Sequence, residues 1–293
     1  MSLFSAVADL LKPTPPLDAN VARALDRVAE LVDPMLKHTA GFEKHLAGPV
    51  QHALGYCDGL VAHLPGPIDI NRHAFANDPL VHALFATADD IDQMLGRSQA
   101  ISDFLSEPCS WESDHFYAMF AARRQQKKQL GMEQQGDVIR NDVPQLVLYF
   151  SGQTLIEPNC QLENTLHGLR CKALESLLHT FHSHVELLRH ERDGLRADAV
   201  VERTHLRGLG LRGTTGSPAY AMGTRHLAAL SEKLQQNAEA LMPEHLITAL
   251  AEYLQSPEPA LHLTPVTITV DRLGIVRDDA KAVLQLNFPD QQS

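Results

Sequence analysis

Glu175, His179, His182, Glu186 and His190 follow one another at helical spacing, and all are residues that bind metals or carry protons. The first four stand at i, i+4, i+7 and i+11, which places them along one helical face. Carboxylates and imidazoles together suit a divalent metal such as zinc or iron. A di-metal carboxylate centre would want Glu-x-x-His on two helices, which this stripe does not supply. Glu also pairs with His one turn away on a solvated face, so the same stripe could be a subunit seam whose charge follows pH.

A second set lies earlier. His38, His45 and His52 recur every seven residues, followed by Cys57 and His63. His52, Cys57 and His63 could ligate a metal or haem if the fold brings them together. The helix that carries them is expected to break at Gly48-Pro49. There is no C-x-x-C-H, which disfavours covalently attached haem.

The third candidate is an anion site. Gly208-Leu209-Gly210-Leu211-Arg212-Gly213 matches G-x-G-x-x-G by letter, and a nucleotide phosphate could rest on such a loop. That mechanism needs a strand before the glycines and a helix after them, and here a long helix precedes them. Arg203, Arg207, Arg212 and Arg225 make this the most basic part of an acidic chain, suited to an anionic ligand or an acidic partner. Arg123, Arg124, Lys127 and Lys128 form another basic cluster, read as the solvated face of a helix. Ser151 lies in Phe-Ser-Gly-Gln, not a G-x-S-x-G elbow, and Cys57 has no base assigned by sequence.

Composition narrows the classes. The chain has 293 residues, 44% hydrophobic and 21% charged, enough apolar material for a sizeable core. A formal net charge of −11 argues against wholesale binding of phosphate backbones. Aromatics at 5% argue against an extended base-stacking platform. The 16 His residues could titrate together between about pH 5 and 8. The four Cys residues form no C-x-x-C, so reduced thiols and a cytoplasmic location are expected. No apolar run is long enough to span a bilayer. Leu3, Phe4, Val7, Leu10 and Leu11 share one face of a short amphipathic segment that could touch a membrane surface weakly or dock on protein. That segment lacks a basic n-region and carries Asp9, so it reads poorly as a signal peptide.

The elements that must position these residues form three segments. Residues 1–17 are the amphipathic segment and a Pro-rich linker. Residues 18–135 read as an all-helical array, including a helix over about 111–134. Residues 136–293 read as an α+β domain, with the boundary near 136 soft. In it, a hairpin over 143–157 turns at Ser151-Gly152, and a long helix covers 161–205. A Gly/Arg loop follows over 206–223, then helices within 224–255 and strands within 263–288. From Leu162 to Ala199 the long helix's apolar positions step by a mean of about 3.7, nearer a straight helix than a left-handed coiled coil. Val266, Ile268 and Val270 alternate with Thr267 and Thr269, a half-buried strand. The fold class expected is α+β and predominantly helical. An N-terminal helical array precedes a small antiparallel sheet covered by the long helix, with the two strand groups joining into that sheet.

Without a complete catalytic motif, the sequence points to a non-enzymatic regulatory or scaffold protein working through protein contacts and self-association. The alternatives are a His/Glu or His/Cys metal- or haem-binding protein, which could be an enzyme, and nucleotide or anion binding at Gly208–Gly213.

Overall fold

The computed structural model describes residues 18–135, 138–213, 215–270, 275–276 and 284–290. The amphipathic segment through Leu11 lies outside them. The fold is α+β and mostly helical, with a long helix packing against an antiparallel strand pair. The chain divides into two compact units: residues 1–56 with 174–260, and residues 57–173 with 261–293.

The first unit is helical. Helix α1 (Ala19–Leu31) is capped by Asp18, whose carboxylate accepts from the Asn20 N–H at 2.7 Å. The α-helical run stops before Pro34, which opens a 3-10 helix (Pro34–His38) under an Asp33 cap. Helix α2 (Phe42–Ala62) runs unbroken through Pro49, against the expectation of an interruption there. Its portion up to Tyr56 belongs to this unit. Most of helix α7 (Leu162–Leu211) does too, with α8 (Pro218–Ala240) and α9 (Pro243–Gln255).

The apolar steps of α7 do bury: Leu177 and Val185 are fully inside, with Phe181 nearly so. Leu178, Leu250, Leu254, Val28 and Leu46 are buried with them. The Tyr253 hydroxyl donates to the Leu177 carbonyl at 3.0 Å, and its ring lies 5.4 Å from Phe181.

The second unit holds the strands. Helices α3 (Arg72–Asn77), α4 (Pro79–Leu84), α5 (Ala88–Arg97) and α6 (Gln99–Leu105) are short. Asp78 caps α4 and Pro79 opens it, as the sequence order requires. Strand β1 (Tyr117–Gln135) then pairs antiparallel with β2 (Val138–Asn159).

Three expectations are corrected here. Residues 117–135 are strand, not the later part of a helix. The segment 143–157 is one stretch of a single strand, not a hairpin. Ser151-Gly152 is not its turn: Gly152 has φ +63 and sits beside the register shift between Ala121 and Arg123, the geometry of an irregularity within a pair. The point near residue 136 therefore falls between two paired strands.

One face of the proximal ribbon closes on the short helices. Leu155, Phe120 and Phe150 pack with Val81, Leu84, Phe85, Ile91 and Ile101, and Phe85 and Phe120 lie 5.6 Å apart. The first turns of α7 close the ribbon's base: the buried Thr165 hydroxyl donates to the Tyr117 carbonyl at 3.1 Å, and Lys172 pairs with Glu157 at 3.9 Å.

Strand β3 (Thr264–Val270) pairs antiparallel with β4 (Leu284–Asp290). The two strand groups remain separate two-stranded sheets, not the single continuous sheet expected. Two isolated antiparallel bridges tie them, Val147 with Ile275 and Val270 with Val276. Leu148 of β2 and Val270 of β3 bury together beside these bridges.

Candidate functional site

The helical unit gives each member of the 175–190 stripe a partner or an outlet of its own. Glu175 accepts from Arg27 of α1, 2.8 Å from Nε and 2.7 Å from Nη2. Hydrogen bonds from Arg27, first to Glu30 and then to Glu175, hold its guanidinium above its ordinary pKa. His182 Nδ1 lies 3.1 Å from the Val32 carbonyl oxygen, so that nitrogen carries the proton when the bond is made. Arg189 bonds Glu186 at 2.6 Å and Asp33 at 2.5 Å, fastening α7 to the capped start of the 3-10 helix. The bond to Glu186 is the leading cause of its raised pKa. His179 and His190 are exposed. Glu175 and His182 directly, and Glu186 through Arg189, are thus built into the contacts between α7 and the N-terminal helices.

The second set is equally dispersed in its bonding. His52 Nδ1 lies 3.3 Å from the Leu254 carbonyl, and His63 Nδ1 lies 2.6 Å from the Gly59 carbonyl of its own helix. Cys57 is fully buried, and burial pushes its thiol up to about 12, with Asp58 and Cys171 adding to the effect. At neutral pH it is a protonated core side chain. Among the described residues, no three His, Cys, Asp or Glu side chains are arranged to hold a metal ion.

The Gly208–Gly213 motif differs from the expected loop. Helix α7 continues to Leu211, so Gly208 and Gly210 are helical, and Gly213 at φ +72 provides the left-handed exit. A helix C-terminus points carbonyls, not amides, at a ligand, the opposite of a phosphate cradle. The cations remain: Arg203, Arg207, Arg212 and Arg225 are all exposed at the α7–α8 junction. Among the described residues none of the four forms an ion pair.

Beside them lies a group the sequence reading passed over. The partly buried Glu202 carboxylate sits 3.9 Å from His205 Nδ1 and 3.5 Å from His226 Nδ1. Its signal was present as Glu-x-x-His at 202–205, on the edge of α7 one residue from Arg203.

Two thiols also meet in the strand unit. Cys160, just after β2, feels the thiol of Cys109 in the 3-10 turn Pro108–Trp111. Cys109, ahead of burial, pushes the Cys160 thiol up to about 11, while Ser113 acts the other way.

The surface most at odds with a self-sufficient fold is the distal ribbon. Residues 123–130 of β1 and 139–142 of β2 are exposed throughout. Leu130 is 66%, Met132 72% and Ile139 66% exposed, three large apolar side chains along the ribbon between the Leu130–Pro144 and Gln134–Ile139 pairs. The basic cluster expected on a helix lies here instead, on the two faces of β1. The Gln145 side chain is buried in this region and donates to the Met132 carbonyl at 3.0 Å.

A cavity in the helical unit, about 340 Å³, is lined by Asp26, Ala29, Glu30, Pro34 and Lys37. A 2.6 Å pair joins Lys37 to Asp26 in its wall. Among the described residues, no helix is long and apolar enough to cross a membrane. No protein-family model matches the chain, and no curated protein or solved structure matches it.

Proposed function

We propose that this chain is a non-enzymatic regulatory or scaffold protein of the cytoplasm that acts through protein–protein contacts and self-association. The observation that carries the reading is the distal β1–β2 ribbon. A two-stranded ribbon is marginally stable in water without cover. This one leaves Leu130, Met132 and Ile139 in solvent. Clustered apolar side chains of this kind mark surfaces that another protein covers. Gln145 supports the reading from within: its buried amide fixes the ribbon's backbone, so the surface is held ready and need not be ordered on contact. The exposed arginines Arg203, Arg207, Arg212 and Arg225 supply a second contact region, for an anion or an acidic partner.

Sedimentation velocity on the purified chain, with and without cell extract, tests this. The expected result is a mass above the 32.3 kDa of one chain, or a discrete complex formed with extract, lost on Leu130→Asp with Ile139→Asp. A strict monomer in both conditions, unaltered by those substitutions, would remove the support.

A further inference from the structure

We propose that the open edge of β1 between Arg123 and Gly131 takes up an extended acidic segment of a partner protein as an added strand. The inference rests on the protein-binding reading above and gives it a surface and a partner chemistry.

The edge is suited to a strand. Among the described residues β1 pairs on one side alone, with β2, and its register runs without a shift from Arg123 opposite Ser151 to Gly131 opposite Val143. That is nine consecutive residues bounded by irregularities at both ends, longer than the five or six typical of a strand. Every position from 123 to 130 is exposed. The outer edge therefore presents main-chain donors and acceptors at the spacing another strand requires.

The edge also selects a sign. Arg123, Arg124, Lys127 and Lys128 crowd into six residues, and no Asp or Glu occurs between Asp114 and Glu133. Alternation places Arg123 and Lys127 on one face of the ribbon and Arg124 and Lys128 on the other. Among the described residues Arg123, Lys127 and Lys128 form no ion pair. An added strand sends its side chains alternately to both faces, so carboxylates at neighbouring positions would meet cations on each. Opposite charges on adjacent strands attract, and like charges directly opposite repel. Pairing of this stretch with the same stretch of a second copy would set cations against cations, which disfavours the self-pairing that an exposed edge otherwise invites.

A nucleic acid would answer the cations but leave the main-chain edge unused. It would also meet the long-range field of a chain with net charge −11. A short acidic peptide feels mainly the charges within about 8 Å at physiological salt, and the edge residues 123–131 themselves carry Arg123, Arg124, Lys127 and Lys128 and no carboxylate.

The test uses the full-length chain and a labelled short peptide of valine, threonine and glutamate that carries carboxylates on both faces when extended. Comparators are its lysine-for-glutamate counterpart, a version N-methylated at alternate amides, and a single-stranded oligonucleotide of equal charge. Anisotropy reports binding, and amide hydrogen exchange reports where. The expected result is binding of the acidic peptide alone, with exchange slowed across 123–131. Arg123→Glu with Lys127→Glu should weaken binding about tenfold or more while leaving the circular dichroism melt in place, since both positions are exposed. Absence of peptide binding, equal binding of the N-methylated peptide, or tighter binding of the oligonucleotide would each overturn the proposal. So would a doubling of mass that the same charge reversal abolishes, which would assign the edge to a second copy. If the peptide fails to bind while Leu130→Asp with Ile139→Asp still abolishes a native complex, the strand-addition inference falls and the scaffold reading stands. If those substitutions change nothing, the scaffold reading itself is lost.

Discussion

Arg27 on α1 clasps Glu175 on α7 through two guanidinium nitrogens, Nε at 2.8 Å and Nη2 at 2.7 Å from the same carboxylate oxygen. The residues are 148 apart in sequence, so the contact ties the start of the chain to its long helix. Glu175 is the first member of the stripe that had the look of metal chemistry, and the pair gives it a structural partner. Arg27→Met and Glu175→Gln should each lower the melting temperature. The double variant should lose less than the sum of the two, because a shared contact is removed once. Strictly additive losses in a double-mutant cycle would show that the two side chains do not act on each other.

The buried face of the same helix is expected to dominate stability. Leu178 is fully buried on α7. Leu178→Ala should cost ~2–5 kcal/mol in denaturant unfolding, the range for emptying a leucine site in a close-packed core. Tyr253→Phe should cost less, ~0.5–1.5 kcal/mol, since it removes one hydrogen bond to the Leu177 carbonyl and leaves the ring against Phe181.

Much of this helical arrangement was legible in the sequence, and the strand unit much less. The apolar stepping of α7 and the Asp78-Pro79 start of α4 are local signals that packing did not override. The Val266–Val270 alternation likewise became β3. Residues 117–135 went the other way. Trp111, His115, Met119 and Ala122 fall near helical spacing, and Arg, Gln and Lys are good helix formers. Strand formation here is imposed by pairing with β2, a non-local cause that no window of β1 contains. The signals pointing the other way were the run Phe116-Tyr117-Ala118-Met119-Phe120 and the Gly136-Asp137 dipeptide between two long segments of matching length. Gly152 misled for a related reason, since a glycine serves an irregularity inside a strand pair as well as a turn. The dispersal of the His and Glu side chains onto separate partners depends on which helices lie against α7, and spacing along one helix does not contain that information.

Buried thiol and phenol groups set an alkaline limit. Burial raises the Cys57 thiol from an ordinary 9.0 to about 12, and burial is also the main cause of the raised Tyr253 phenol. In each case the unfolded chain releases its proton at lower pH than the folded chain. The Cys57 contribution to stability is therefore complete below about pH 9 and falls as pH rises toward 12, and the Tyr253 contribution begins to fall only above the ordinary phenol value of 10.0. Cys57→Ala should flatten the part of that decline that begins near pH 9, measured as unfolding free energy against pH. An unchanged slope would contradict the assignment. In the folded chain at about pH 7, Cys57 should resist iodoacetamide while exposed Cys171 reacts.

The Cys109–Cys160 contact predicts a titration of its own. The neighbouring Cys109 is the largest cause of the raised Cys160 thiol. Cys109→Ser changes that partner, and Cys109→Ala removes it and should bring the Cys160 thiol down from about 11 toward its ordinary value. The pH profile of Cys160 alkylation, read by peptide mass spectrometry, should shift to lower pH in the alanine variant. A profile that does not move would place the two thiols out of contact.

If the distal ribbon meets another protein, a photo-reactive residue in place of Leu130 will report the contact itself. Irradiation in cells should then give a discrete cross-linked species that excess unlabelled chain competes away. The same group at Leu105, exposed on α6 outside the ribbon, should give none. No cross-link at position 130 beyond that seen at 105 would mean that the ribbon is not a protein-binding surface.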